Sequence, residues 1–110
     1  MLNCVFHLGR FGNAEAYIGF EISGHAGYGK AKNEREGNDI VCAAVSSCTM
    51  LVCNAITENF GAEADVKVDE NRITLKLNER NEAAEQLISA FYEHLGELSK
   101  EYGKIRLSIN

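Results

Sequence analysis

The sequence predicts an α/β (α+β) fold, a two-layer sandwich in which two helices cover one face of a mostly antiparallel sheet, in the order ββαββαβ. Three observations predict it. Short stretches with apolar residues on one parity occur near the start, the middle and the end of the chain. Two longer stretches, one from Ile40 to about Asn59 and one capped at Asn78 or Asn81 and running to about Tyr102, read as helices. Turn residues separate them all, and helices packed on one face of a sheet is the economical way to bury both.

The elements follow in order. Residues 1–8 carry Leu2, Cys4, Phe6 and Leu8 on one parity, as a strand requires. Gly9 to Asn13 reads as a turn. Ala14 to Ser23, with Tyr17, Ile18, Phe20 and Ile22, completes a hairpin. Gly24 to Asn38 is a glycine-bearing loop with a mixed-charge centre from Lys30 to Glu36. At about fifteen residues it is long for a compact domain, and such loops are commonly functional lids. Asn38 and Asp39 offer an N-cap for a first helix running from Ile40 to about Asn59 and stopped by Gly61. Strands at 64–69 and 72–77 flank a turn at Glu70-Asn71. Asn78 and Asn81 are candidate caps for the second helix, whose stripe is Ala84, Leu87/Ile88, Phe91, Leu95, Leu98 and Tyr102. Gly103 ends it, and Ile105, Leu107 and Ile109 alternate as a last strand.

The two helices differ in charge. The second presents Glu82, Glu85, Glu93, Glu97 and Lys100. The first has no charged side chain from Ile40 to Thr57. A helix uncharged all round is buried on more than one side. One side covers the sheet, and the other is expected to meet a second copy of the chain in a homodimer, symmetric dimers being the commonest oligomers. Its serines, threonines and asparagine, and a length short of the ~20 mostly apolar residues of a span, argue for a buried soluble helix rather than a membrane one.

Composition narrows the function. At 110 residues, 45% apolar and 25% charged, residues 1–110 are expected to form a single domain with its own core. The net charge is −5, and no basic stripe with interleaved aromatics offers a direct nucleic-acid footprint. The first residues lack a signal-peptide pattern, so a cytoplasmic protein with its four cysteines reduced is expected. Cys42, Cys48 and Cys53 are spaced six and five apart, which is not zinc-ligand spacing, so no metal is expected.

Two residues stand out chemically. Cys42 is read in the first turn of the first helix, three residues after Asp39, where unpaired N–H groups and the helix dipole stabilise a thiolate and hold an oxyanion. His25 stands at the mouth of the loop in Gly24-His25-Ala26-Gly27, where glycines leave the ring uncrowded. Sixteen residues lie between the two, enough to bring a strand end to a helix start as nucleophile and base require. On residue types alone the bland readings stand beside these. A cysteine in an apolar helix is commonly a small buried hydrophobe, a lone histidine a surface group, and Asp39 an N-cap with no further role. A redox pairing of Cys42 with Cys48 or Cys53 is geometrically poor on an ideal helix.

Gly24-His25-Ala26, followed after a gap by Asp39-Ile40-Val41-Cys42-Ala43-Ala44-Val45-Ser46, resembles the signature of the ribosomal-processing cysteine protease (Prp) family. The resemblance implies a catalytic pair of His25 and Cys42, with Asp39, Ser46 and Gly24 in support. It implies a compact, dimeric α/β sandwich that needs no metal or organic cofactor. The implied activity removes a short N-terminal extension from large-subunit ribosomal protein number twenty-seven, after an aromatic pair, before ribosome assembly. Gly27, Tyr28 and Gly29 then belong to a substrate-gating loop. The stretch from Gly27 to Asn38 is longer and more charged than the family's, which bears on gating rather than on the chemistry. A non-catalytic ribosome-associated binding module on the same fold is the competing reading, and it predicts no cleavage.

Overall fold

The computed structural model describes residues 1–24 and 36–110, with the side chains of residues 36–39 outside that description. Five strands and two helices follow the predicted order: β1 (Leu2–Phe11), β2 (Ala14–Ser23), α1 (Glu36–Asn54), β3 (Ala64–Val68), β4 (Arg72–Leu77), α2 (Glu82–Tyr102) and β5 (Ile105–Ile109). The sheet order is β3-β4-β2-β1-β5. β5 lies parallel to β1 and the other three ladders are antiparallel, so the sheet is mixed.

The first hairpin is tighter than the sequence reading of it. β1 runs to Phe11 and pairs it with Ala14, leaving Gly12-Asn13 as a two-residue turn with Gly12 at φ 66°. That positive φ is what such turns require. Gly9 belongs to the strand because the Ile18 side chain lies where a Cβ on Gly9 would stand. Ile18 is the extra residue of a bulge, since His7 faces Gly19 while Leu8 faces Tyr17.

The core lies between the layers. Leu2, Cys4 and Phe6 of β1, Phe20 and Ile22 of β2, and Ile73, Leu75 and Leu77 of β4 point at Val41, Val45, Val52 and Ile56 below α1's outer face and at Ala84, Ile88, Phe91 and Leu95 of α2. Phe6 packs edge-on to Phe91 and Tyr92, and Tyr17 stacks on Tyr92 at 5.5 Å. α2 packs on β2 and β5 and against α1, which leaves α1 to cover β4, whose Ile73, Leu75 and Leu77 are buried.

Both helix ends are chemically legible. Asn81 caps α2, its side-chain oxygen accepting from Ala84 N–H at 2.9 Å, and Gly103 closes it at φ 66°. Glu85, read as part of a charged face, is instead buried. It accepts from Asn81 N–H at 3.0 Å and pairs with Arg80 at 3.4 Å, so capping draws it inward. α1 runs on through a π-helical turn, Ala55–Asn59, in which Phe60 N–H reaches back to Ala55 O. Gly61, at φ 62°, then stops it as expected.

Ile40–Asn59 is long and apolar enough to cross a membrane by length and composition. Its inner face carries Val41, Val45, Thr49, Val52 and Ile56 into the core, with Thr49 Oγ1 donating to Val45 O at 2.7 Å. Its outer face leaves Ile40, Met50 and Leu51 at 58%, 42% and 69% exposure, an apolar strip uncovered within one chain.

Candidate active site

The site end of the sheet is where β2 finishes, β1 starts and β5 starts. Gly24, the last described residue before His25, has φ +92°, a conformation other residues rarely adopt. A Cβ there would run into the Met1 carbonyl oxygen and crowd Asn3. Gly24 is thus a glycine for two independent reasons, positive φ and close approach of β1. Together they fix where the chain leaves β2 toward His25. His25 itself lies outside the described residues, as do Gly27, Tyr28 and Gly29 of the expected gating loop.

α1 carries the other half. Cys42 is half-buried, packed at the margin of the core beside fully buried Val41 and Val45. Ser46 follows one turn on and is half-buried too. The structure corrects the helix start. α1 begins at Glu36, not at Ile40, so Cys42 stands in the second turn rather than the first, and Asp39 is helical rather than an N-cap. The side chain of Asp39 lies outside the described set.

The correction changes the electrostatics. Residues 36–39 are already helical, so the start of the helix and its unpartnered N–H groups lie at least one turn before Cys42. The dipole's effect is concentrated in that first turn, so it acts more weakly on Cys42 than a helix start at Ile40 would have it. Side chains on a helix tilt toward its N-terminus, which still directs the Cys42 side chain back over that turn.

The remaining thiols divide by burial. Cys4 is fully buried in β1, and burial pushes its thiol up to about 12. Cys53, on the inner face of α1, is pushed up to about 11 by the same cause. Both stay protonated at neutral pH and cannot attack. Cys48 is half-buried.

Comparison with known proteins decides the family. The model of the family described as cysteine protease Prp matches residues 5–106. The chain belongs to that family. It is a cysteine protease, and its fold of two helices on a five-stranded mixed sheet is that of solved Prp structures. The ribosomal processing protease Prp of S. aureus in complex with a substrate peptide superposes with a TM-score of 0.82 at 20% identity, over 100% of both chains. The same protease with a covalently linked product peptide gives 0.80 at 21% identity, again over 100% of both. SMU.848 of Streptococcus mutans gives 0.80 at 26% identity, over 99% of this chain and 96% of that one. No curated protein matches the chain.

Sequence reasoning missed Asn3 and the start of β1 as neighbours of the site. Nothing in the local sequence signals them, because the contact depends on the register Asn3↔Ser23.

Proposed function

We propose that this cysteine protease is a ribosomal-protein processing enzyme. In this reading it removes the N-terminal extension of large-subunit ribosomal protein number twenty-seven before ribosome assembly, using Cys42 as nucleophile and His25 as base. The observation that carries the reading is the family match across residues 5–106, which takes in both motif blocks, Gly24-His25-Ala26 and Asp39 to Ser46. The S. aureus relative, described as a ribosomal processing protease and seen with a substrate peptide, supports the substrate class.

The chemistry follows from the pair. His25 accepts the Cys42 proton, and the thiolate sulfur attacks the scissile carbonyl carbon. N–H groups of the first turn of α1, toward which the Cys42 side chain leans, hold the oxyanion. The carbon–nitrogen bond then breaks as His25 returns the proton to the leaving amine, leaving a thioester that water hydrolyses. With activation by the dipole weakened, formation of the thiolate rests mainly on proton transfer to the imidazole. Ser46 and Asp39 support the pair from α1, and Tyr28 and its flanking glycines gate it. No metal or organic cofactor takes part in this scheme. The enzyme works in the cytoplasm as a homodimer, and the apolar strip of Ile40, Met50 and Leu51 supports that state.

The test is cleavage of a peptide spanning the extension's junction. Cys42→Ser is expected to lose about a thousandfold or more of kcat/KM, as removal of a nucleophile does. Full cleavage by that variant would sink the assignment. Binding of the peptide by wild type without any cleavage would favour the non-catalytic module.

A further inference from the structure

The geometry points to the outer edge of β3 as the place where this protease holds its polypeptide substrate. We propose that an extended substrate segment joins there as an added strand, its alternate apolar side chains resting on Val66 and Val68. The inference rests on the processing role proposed above.

Among the described residues β3 is an edge strand, paired only with β4. Its ladder fixes which backbone groups are used. Asp69 N–H donates to Arg72 O and Asn78 N–H donates to Glu63 O. Hydrogen-bonded pairs alternate along an antiparallel ladder, so Asp65 and Lys67 also direct their N–H and C=O groups at β4. Ala64, Val66 and Val68 therefore direct theirs outward, to the open edge.

The same residues supply an apolar surface. Val66 faces Leu75 and Val68 faces Ile73 across the ladder, and both partners are buried under the helices. Val66 and Val68 thus lie on the helix side of the sheet, yet they remain 37% and 62% exposed. An edge that combines unused backbone groups with apolar side chains at every second residue is the template that extended peptides recognise.

Two features select β3 over β5, the other edge. Toward the site end the helix side of β5 is covered, Ile105 being buried and Leu107 packed on the core, and Ile109 is exposed at the far end of the strand. α2 packs on β2 and β5 while Ile73 and Leu75 of β4 are buried, so α1, the helix that carries Cys42, is the one left to cover β4 beside β3. Val68 of β3 and Leu107 of β5 close one cross-sheet row through Ile73, Ile22 and Cys4, two residues short of Gly24 along the strands, so both edges reach this end of the sheet. Each lies about 10 Å from β2, two strand spacings away, and the choice between them rests on what covers them. Charge around the edge is acidic on balance and suits a basic polypeptide: Glu63, Asp65, Asp69 and Glu70 lie on or beside the strand against Lys67 alone, while Arg72 is engaged by Glu21 at 3.8 Å and Lys76 faces Asp65.

The experiment uses the full chain with the junction-spanning peptide. In Cys42→Ser, amide exchange at Ala64, Val66 and Val68 should slow at least tenfold on saturation, with no change at Ile105, Leu107 and Ile109. Peptide bound by anisotropy without that protection overturns the proposal. Protection that follows protein concentration rather than peptide also overturns it, because a second copy is then the occupant. In the active enzyme, Val66→Pro removes an outward N–H without touching the ladder. It should cost about five- to tenfold in kcat/KM, as one backbone hydrogen bond does. Ile109→Pro, which removes the matching outward N–H on β5, should leave the rate unchanged. If wild type cleaves and Val66→Pro cleaves equally well, only the edge proposal falls. If wild type does not cleave, the processing role falls with it. Should Val66→Pro fail to fold, the exchange measurement decides alone.

Discussion

The thiols of this chain meet different surroundings, and surroundings set which of them can react. Only the thiolate attacks, and burial holds Cys4 and Cys53 in the neutral form. Native alkylation near pH 8, read by mass spectrometry, should therefore leave Cys4 and Cys53 unmodified until the protein unfolds, while half-buried Cys42 is labelled. If His25 activates Cys42, His25→Ala slows that labelling and leaves the rate at Cys48 unchanged. Equal slowing at both thiols would contradict the pair. Gly24 is the second residue whose chemistry is fixed by its place. At φ +92°, with the Met1 carbonyl where a Cβ would go, Gly24→Ala is strained twice over. Strain of this kind costs about 1–3 kcal/mol. Urea unfolding should show that loss, accompanied by lower activity because the path toward His25 shifts.

Elements were legible in proportion to the strength of their end signals. Asn81 and Gly103 bound α2 by chemistry that is written locally; the sequence places the Gly103 end directly and leaves Asn78 and Asn81 as alternatives for the start, of which the structure uses Asn81. The start of α1 was not legible. Asn38-Asp39 looks like a cap, but the helix extends back to Glu36, and a preferred cap residue four positions in is simply a helical aspartate. Glu85 misled for a related reason. Its position on the helix reads as solvent, whereas the N-cap backbone and Arg80 turn it inward. The apolar outer face of α1 was legible as an uncharged run and is now resolved into Ile40, Met50 and Leu51. If that strip is the dimer interface, Leu51→Lys should convert the protein to monomer in sedimentation at micromolar concentration. A charge desolvated on both sides of a two-fold interface is strongly unfavourable. Its far-UV circular dichroism should stay unchanged, since Leu51 is 69% exposed within the chain. A dimer that survives this substitution would place the contact elsewhere.

At the scale of the whole molecule, alternation along a strand shows which face it buries but not which strand it neighbours. β5 reads as a last strand from Ile105, Leu107 and Ile109, yet its parallel place beside β1 follows only from α2 crossing the sheet. That crossing sets the chemistry of the interior. It seals Cys4, on the sheet, and Cys53, on the helix layer, into one core cluster. Unfolding releases both thiols, so the core is linked to pH. Their folded values, about 12 and about 11, lie above the ordinary thiol value of 9.0 that they regain in water. The folded state then binds more protons than the unfolded one between these limits, and stability falls as pH rises there. The contribution is intact below pH 9.0 and is lost progressively toward about 12. Tyr17, raised by burial and by Tyr92 and Glu93, acts in the same direction. Urea midpoints taken at pH 8 and pH 10.5 should fall in the wild type. In Cys4→Ala the starting stability is lower, because a buried group is lost, but the fall between the two pH values is smaller. An equal fall in both proteins would show that the buried thiols are not the linked groups.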